Sequence, residues 1–126
     1  MDNYKTPENI MKLFSNRFDP CPLNDNPEVD GLHIDWKDKT FVNPPYSNPL
    51  PWVEKAIKEA KNGNMIVMLL RVDTSTRWFA KLNEAGAEIL WFSKRLKFKR
   101  RGYKGGGEED KLFTYIANFP SMLVIL

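Results

Sequence analysis

Four consecutive residues, Asn43-Pro44-Pro45-Tyr46, carry groups suited to holding a planar amino group. The two prolines fix φ and donate no N–H, so the carbonyls of Asn43 and Pro44 are held in a rigid turn, with the flat ring of Tyr46 beside them. A planar base with an exocyclic NH2 could donate its two hydrogens to the Asn43 side-chain oxygen and a main-chain carbonyl, and stack on Tyr46. Immediately before the turn, Thr40-Phe41-Val42 reads as the end of a buried strand. Open α/β sheets bind ligands outside the carboxyl ends of strands. Phe18-Asp19 is likewise followed at once by a proline, so the turns after Asp19 and Val42 suit adjacent walls of one cleft. An Asp at such a strand end can accept hydrogen bonds from an ammonium group or sugar hydroxyls.

These residues carry a resemblance. Asn43-Pro44-Pro45-Tyr46 resembles the catalytic motif of amino-group methyltransferases that use S-adenosylmethionine. Tyr4-Lys5-Thr6-Pro7, Phe18-Asp19-Pro20-Cys21, Asp30-Gly31-Leu32, Asp35-Trp36, Arg95-Leu96-Lys97-Phe98 and Phe119-Pro120-Ser121-Met122 resemble, in the same order, the phage-type, Dam-like DNA N6-adenine methyltransferases. The similarity spans nearly the whole chain, apart from the segment from Arg100 to Asn118. It implies an adenine-specific enzyme with S-adenosylmethionine as cofactor, DNA as partner, and the host cytoplasm as its location if the source is viral. It also implies roles: Asn43, Pro44, Pro45 and Tyr46 for catalysis; Asp19, Pro20 and Cys21 in the first cofactor motif; Asp30 and Leu32 facing the nucleoside; Thr6 and Pro7 beside the methionine moiety; and Asn43 touching both substrates.

The same tetrapeptide logic would serve cytosine N4, RNA adenine or a protein glutamine amide, and a non-catalytic nucleic-acid-binding remnant is the other reading. Here no Gly-x-Gly loop follows Asp19, and Thr40 comes only 21 positions after it, so the expected fold is α/β, a shortened Rossmann-like methyltransferase fold with a mainly parallel sheet.

The chemistry proposed for the motif is polarisation. An adenine N6 lone pair is delocalised into the ring, and acceptors for both N6 hydrogens would localise it for attack on a sulfonium methyl. A base inside a duplex must be flipped out to reach such a pocket.

The 126 residues suit one domain, with a basic and glycine-rich insertion at about 94–112, and 42% hydrophobic content is ordinary for a globular chain. The apolar runs are too short to span a bilayer and no signal peptide is visible, so no membrane partner is expected. One cysteine excludes an internal disulfide, and one histidine leaves no plausible zinc set, so the chain reads as intracellular and metal-independent. Oligomeric state, monomer or homodimer, stays open. Seven of the 19 basic residues lie between Lys94 and Lys104 with no acidic residue among them, leaving 12 basic against 16 acidic elsewhere. That patch is the footprint of phosphate contacts: Arg95, Lys97, Lys99, Arg100, Arg101 and Lys104, with Phe98 and Tyr103 interleaved as stacking or wedge groups. It is expected on a separate hairpin or loop, away from the Asp19 and Asn43 turns. Arg71 and Arg77 are further candidates near the target base.

Hydrophobic periodicity supplies the scaffold. Thr6 or Asn3 could cap a helix from about Pro7 to Phe14, with Ile10, Leu13 and Phe14 on one face. Pro51 begins a second helix, to about Lys61, with Trp52, Val53, Ala56, Ile57 and Ala60 on one side and Gly63 past its end. Met65 to Leu70 is continuously apolar, the pattern of a central strand buried on both faces. Thr74, Ser75 or Thr76 caps a third helix, ended by Gly86, before a strand at Glu88 to Phe92. Met122 to Leu126 is a last strand that can run antiparallel.

Overall fold

The computed structural model describes residues 4–21, 30–101, 112–117 and 119–126. In chain order the elements are β1 (Tyr4–Lys5), α1 (Glu8–Leu13), a 3-10 turn (Gly31–His33), β2 (Lys39–Val42), α2 (Leu50–Lys61), β3 (Met65–Arg71), α3 (Arg77–Glu84), β4 (Glu88–Trp91), β5 (Lys97–Arg101), β6 (Leu112–Ile116) and β7 (Ser121–Ile125). Asn3, and Tyr103, Lys104 and the glycine run after it, lie outside the described residues.

The apolar run Met65 to Leu70 becomes β3, in the interior of a four-stranded sheet ordered β2-β3-β7-β4. β2 and β3 pair in parallel, and β7 is antiparallel to both β3 and β4. Three strands therefore point one way and β7 the other. Alternate residues of β3 serve two apolar layers. Ile66, Met68 and Leu70 pack with Trp52, Val53 and Ala56 of α2 and with Trp78 and Leu82 of α3. Val67 and Leu69 pack on the opposite face with Ile10 of α1, Phe41, Tyr46, Phe98 and Leu123. Burial on both faces is why the run shows no polar alternation.

Helix ends follow their local chemistry. Thr76 is the residue that caps α3, its hydroxyl accepting from the Phe79 amide at 3.3 Å. Gly63 and Gly86 close α2 and α3 with φ of 98° and 75°, a left-handed conformation that only glycine adopts without strain. α1 differs from expectation. Thr6 makes no capping bond, Pro7 is the N-cap, and Leu13 is 73% exposed, so Ile10 anchors the helix in the core with Met11 and Phe14 packed beside it. Trp36 points inward and donates its indole N–H to the Gly31 carbonyl at 2.8 Å.

The loop from Trp36 to β2 is tied to α2 by a buried carboxylate. Glu59 accepts from Lys55 Nζ at 2.7 Å and from Asn64 Nδ2 at 2.8 Å. Burial pushes the Glu59 carboxyl up, but the Lys55 ammonium and the Asn64 amide outweigh it and hold it below the ordinary carboxylate range.

A second sheet, ordered β1-β5-β6 and antiparallel throughout, goes beyond what the residue pattern predicts. A two-residue strand gives no periodicity to read. The basic segment is indeed on a hairpin, but not a separate one: β5 pairs with β1, which leads straight into Thr6. Phe98 is fully buried against the main sheet, so it cannot be a stacking or wedge group for nucleic acid.

Candidate functional site

Residues that are far apart in sequence meet at the carboxyl ends of β2 and β3. Asn43 directly follows β2, is 7% exposed, and donates from Nδ2 to the Thr6 hydroxyl at 3.0 Å. That bond fixes which way the amide faces and makes Oδ1 its acceptor end, turned away from Thr6. Pro7 is buried next to it, and its carbonyl accepts from the amides of Ile10 and Met11, so α1 holds Thr6 in place. Thr6, Pro7, Asn43 and Pro44 thus form one buried group of side chains.

Phe18 forms a parallel bridge with Thr40, its amide donating to the Lys39 carbonyl at 2.9 Å and its carbonyl accepting from Phe41 at 2.8 Å. Running parallel to β2 in this register, the Asp19-Pro20-Cys21 turn leaves the sheet at the same end as Asn43, as expected for adjacent walls. Asp19 Oδ1 accepts from the Cys21 amide at 2.9 Å, which shapes the turn. Burial raises the Asp19 carboxyl above its ordinary value, against the opposing pull of that bond. Burial, with the Asp19 charge adding to it, pushes the Cys21 thiol up to about 12, so Cys21 is a neutral wall residue and no nucleophile.

The 3-10 turn backs this wall. A Cβ on Gly31 would lie 2.0 Å from the Pro20 carbonyl oxygen and 2.9 Å from the Trp52 ring, so only glycine permits this close approach. Asp30 caps the turn, accepting from the Leu32 amide at 3.0 Å and pairing with His33 Nδ1. Those contacts, His33 first, hold the Asp30 carboxyl below its ordinary range, and Leu32 lies half-buried against the core. His33 itself is exposed.

Tyr46 is 8% exposed, with its ring edge-on to Phe98 (centroids 5.8 Å apart) and to Phe119 (5.2 Å). In this conformation the ring is enclosed by aromatic neighbours and is not an open platform. Phe98 and Phe119 are neighbours of Tyr46 that residue type alone does not reveal. The one signal is that both fall in stretches carrying the family resemblance.

Arg71 ends β3, and the register that sets Val42 against Met68 brings it level with the Asn43 turn one strand away. Its Nη1 lies 3.7 Å from Asp73 Oδ2 and its Cζ 5.8 Å from the Trp78 ring. Asp73 is held by the Ser75 hydroxyl and amide, which with Arg71 keep it below its ordinary range. Arg77 opens α3 and is exposed. Arg95 and Lys97 are exposed, Lys99, Arg100 and Arg101 lie on β5, and Lys104 falls outside the described residues. Among the described residues, no helix is long and apolar enough to cross a membrane.

Known proteins are similar to this chain in sequence. A family model described as DNA N-6-adenine-methyltransferase (Dam) matches residues 1–126. A protein of Haemophilus phage HP1 (strain HP1c1) named DNA N-6-adenine-methyltransferase is 36% identical over 118 residues, covering 85% of this chain and 64% of that protein. A protein of the same name from Escherichia phage T1 is 47% identical over 51 residues, covering 40% of this chain and 21% of that protein. The chain thus spans less than two thirds of the length of either relative. Among solved structures, a precorrin-6y C5,15-methyltransferase from Geobacter metallireducens GS-15 is similar, with a TM-score of 0.42 and 16% identity over 97% of this chain and 63% of that one. That likeness is too slight to bear on the reaction.

Proposed function

The chain belongs to the DNA N-6-adenine-methyltransferase (Dam) family, and on that premise we propose that it transfers a methyl group from S-adenosylmethionine to N6 of adenine in DNA. The observation that carries this reading is the Asn43 amide, locked by Thr6 at the end of β2 beside the Asp19 turn. We read residues 1–126 as one methyltransferase-like domain.

The residues present fit the cofactor. A half-buried carboxylate such as Asp19, whose burial disfavours its charge, is relieved by a ligand that brings an ammonium or hydroxyl donors. Thr6, Pro7, Pro20, Cys21, Asp30 and Leu32 would line the rest of its site. When bound, S-adenosylmethionine supplies an electrophilic methyl on a sulfonium sulfur. Asn43 Oδ1 and the Pro44 carbonyl accept the two N6 hydrogens and localise the nitrogen lone pair, Pro45 keeps the turn rigid, and Tyr46, once its ring turns out from between Phe98 and Phe119, takes the face of the extruded base. Asn43 Oδ1 and the Pro44 carbonyl are neutral acceptors that orient the nitrogen and take up no proton, so the surplus N6 proton would leave to solvent and no strong base is required. Arg95, Lys97, Lys99, Arg100, Arg101 and Lys104 would contact phosphates, with Arg71 and Arg77 closer to the target base.

Two measurements test this. S-adenosylhomocysteine should raise the melting temperature, by an amount that approaches ~4 kcal/mol of stabilisation at 1,000 times its Kd. Incubation with cofactor and DNA, followed by nucleoside analysis, should yield N6-methyldeoxyadenosine. Asn43→Ala should keep the thermal shift and lose about 100-fold to 1,000-fold in rate. Methylated cytosine, RNA or glutamine as the product would reassign the substrate. Absence of any thermal shift would favour a nucleic-acid-binding remnant.

A further inference from the structure

Two buried polar atoms near the site have no hydrogen-bond partner among the described residues: Arg71 Nε and Ser121 Oγ. They belong to residues directly opposite each other in the antiparallel β3–β7 pairing. Such residues project to the same face of a sheet with Cβ atoms about 5 Å apart. That face is the one on which Leu69 and Leu123 pack into the cluster holding Tyr46. Ser121 is completely buried, so its hydroxyl has no recourse to solvent. A buried unsatisfied group of this kind is costly and calls for a partner that the protein itself does not supply.

The guanidinium is presented from one edge. Asp73 stands at Nη1 and the Trp78 ring lies against Cζ, and neither contact engages the side-on edge that carries Nε. A side-on fork is matched by two oxygens of an oxyanion. A second observation points the same way. The first turn of α3 holds no acidic residue and begins with Arg77, placing a cation at the positive end of the helix dipole where an anion is the natural complement.

We propose that Arg71 and Ser121 form a receptor for one backbone phosphate, that of the strand which presents its base to the Asn43 turn. Arg71 ends the strand next to β2 and lies two positions beyond the level of Asn43, so the phosphate sits beside the extruded nucleotide and indexes it to the Asn43 turn. Asp73 and Trp78 act as positioning residues that hold the guanidinium edge-on while no phosphate is bound. This inference rests on the reading of the chain as acting on DNA.

The test is fluorescence anisotropy of a labelled DNA duplex across a range of KCl concentrations, with S-adenosylhomocysteine binding measured separately by calorimetry. Arg71→Gln should reduce the slope of log affinity against log salt by about 0.9, the share of one neutralised phosphate. Arg71→Lys should keep the slope but weaken binding, because an ammonium lacks the fork. Ser121→Ala should weaken binding about tenfold at unchanged slope, the loss of one hydrogen bond to a charged group. An unaltered slope in Arg71→Gln would make Arg71 a purely structural residue and overturn the proposal. So would loss of S-adenosylhomocysteine affinity with DNA binding intact, which would assign the fork to the cofactor's carboxylate. Should Arg71→Gln not fold, undiminished DNA affinity in both Arg71→Lys and Ser121→Ala would be equally fatal. A wild-type protein with no affinity for DNA even at low salt would instead remove the DNA reading on which this one stands.

Discussion

The Asp19 carboxylate is a side chain that the fold holds at a cost to stability. Burial raises its pKa in the folded state, so the folded protein holds that proton more tightly than the unfolded chain does. The sign follows: stability is lost as pH rises from the ordinary Asp range through the raised value, and the penalty is fully present at neutral pH. Asp19→Asn keeps an acceptor for the Cys21 amide and removes the charge. It should therefore melt above wild type at pH 7, with the gap closing below about pH 3.9, while S-adenosylhomocysteine affinity falls. A variant that lost stability at pH 7 would show that the charge is already compensated within the protein. Asn43 is the contrasting case, a neutral side chain whose orientation is set by Thr6 from 37 positions away. The sequence shows both residues, but only the fold brings them together.

Elements with strong periodicity are legible in the sequence: β2, α2, β3, α3 and β7 fall within a residue or two of their expected bounds, because burial on a fixed face leaves a pattern in residue type. What stays hidden depends on long-range pairing. β1 is two residues long, and its partner β5 alternates exposed Lys97 with buried Phe98, which reads as a basic patch unless the apolar residue has a surface to cover. The Asn43-to-Tyr46 turn is legible from its chemistry, whereas the enclosure of Tyr46 by Phe98 and Phe119 is not. A similar concealed link joins α2 to the Trp36 loop through Lys55, Glu59 and Asn64. Because the folded pKa of Glu59 is lowered, its contribution is present above the ordinary Glu range and is lost as pH falls through the lowered value. Lys55→Met strands a buried carboxylate and should cost about 3 kcal/mol in chemical denaturation, whereas Lys55→Met combined with Glu59→Gln should recover most of it. A double variant no more stable than the single one would mean that the pair matters through packing instead.

At the scale of the whole molecule, the basic strand and the amino-group site are parts of one structure. β5 is hydrogen-bonded to β1, β1 leads to Thr6, and Thr6 holds Asn43. Changing Lys99, Arg100 and Arg101 together to glutamine should flatten the salt dependence of DNA binding, by up to roughly 0.9 in slope for each phosphate no longer neutralised. Through β1, the same change can also reach the site, so the S-adenosylhomocysteine thermal shift is the necessary control. A wild-type salt slope in that variant would reduce the patch to a solvated face and leave the carboxyl end of β3 and the start of α3 as the route for DNA. The topology also constrains how the protein is made. β4 touches the main sheet solely through β7, and β7 separates it from β3. During synthesis from the N-terminus, β3 and β4 both emerge with an open edge and must wait for Ser121 to Ile125, the strand that seals them to each other. A nascent chain halted before Ser121 should accordingly be digested rapidly by protease, whereas one in which Ser121 to Ile125 has emerged and joined β3 to β4 should resist.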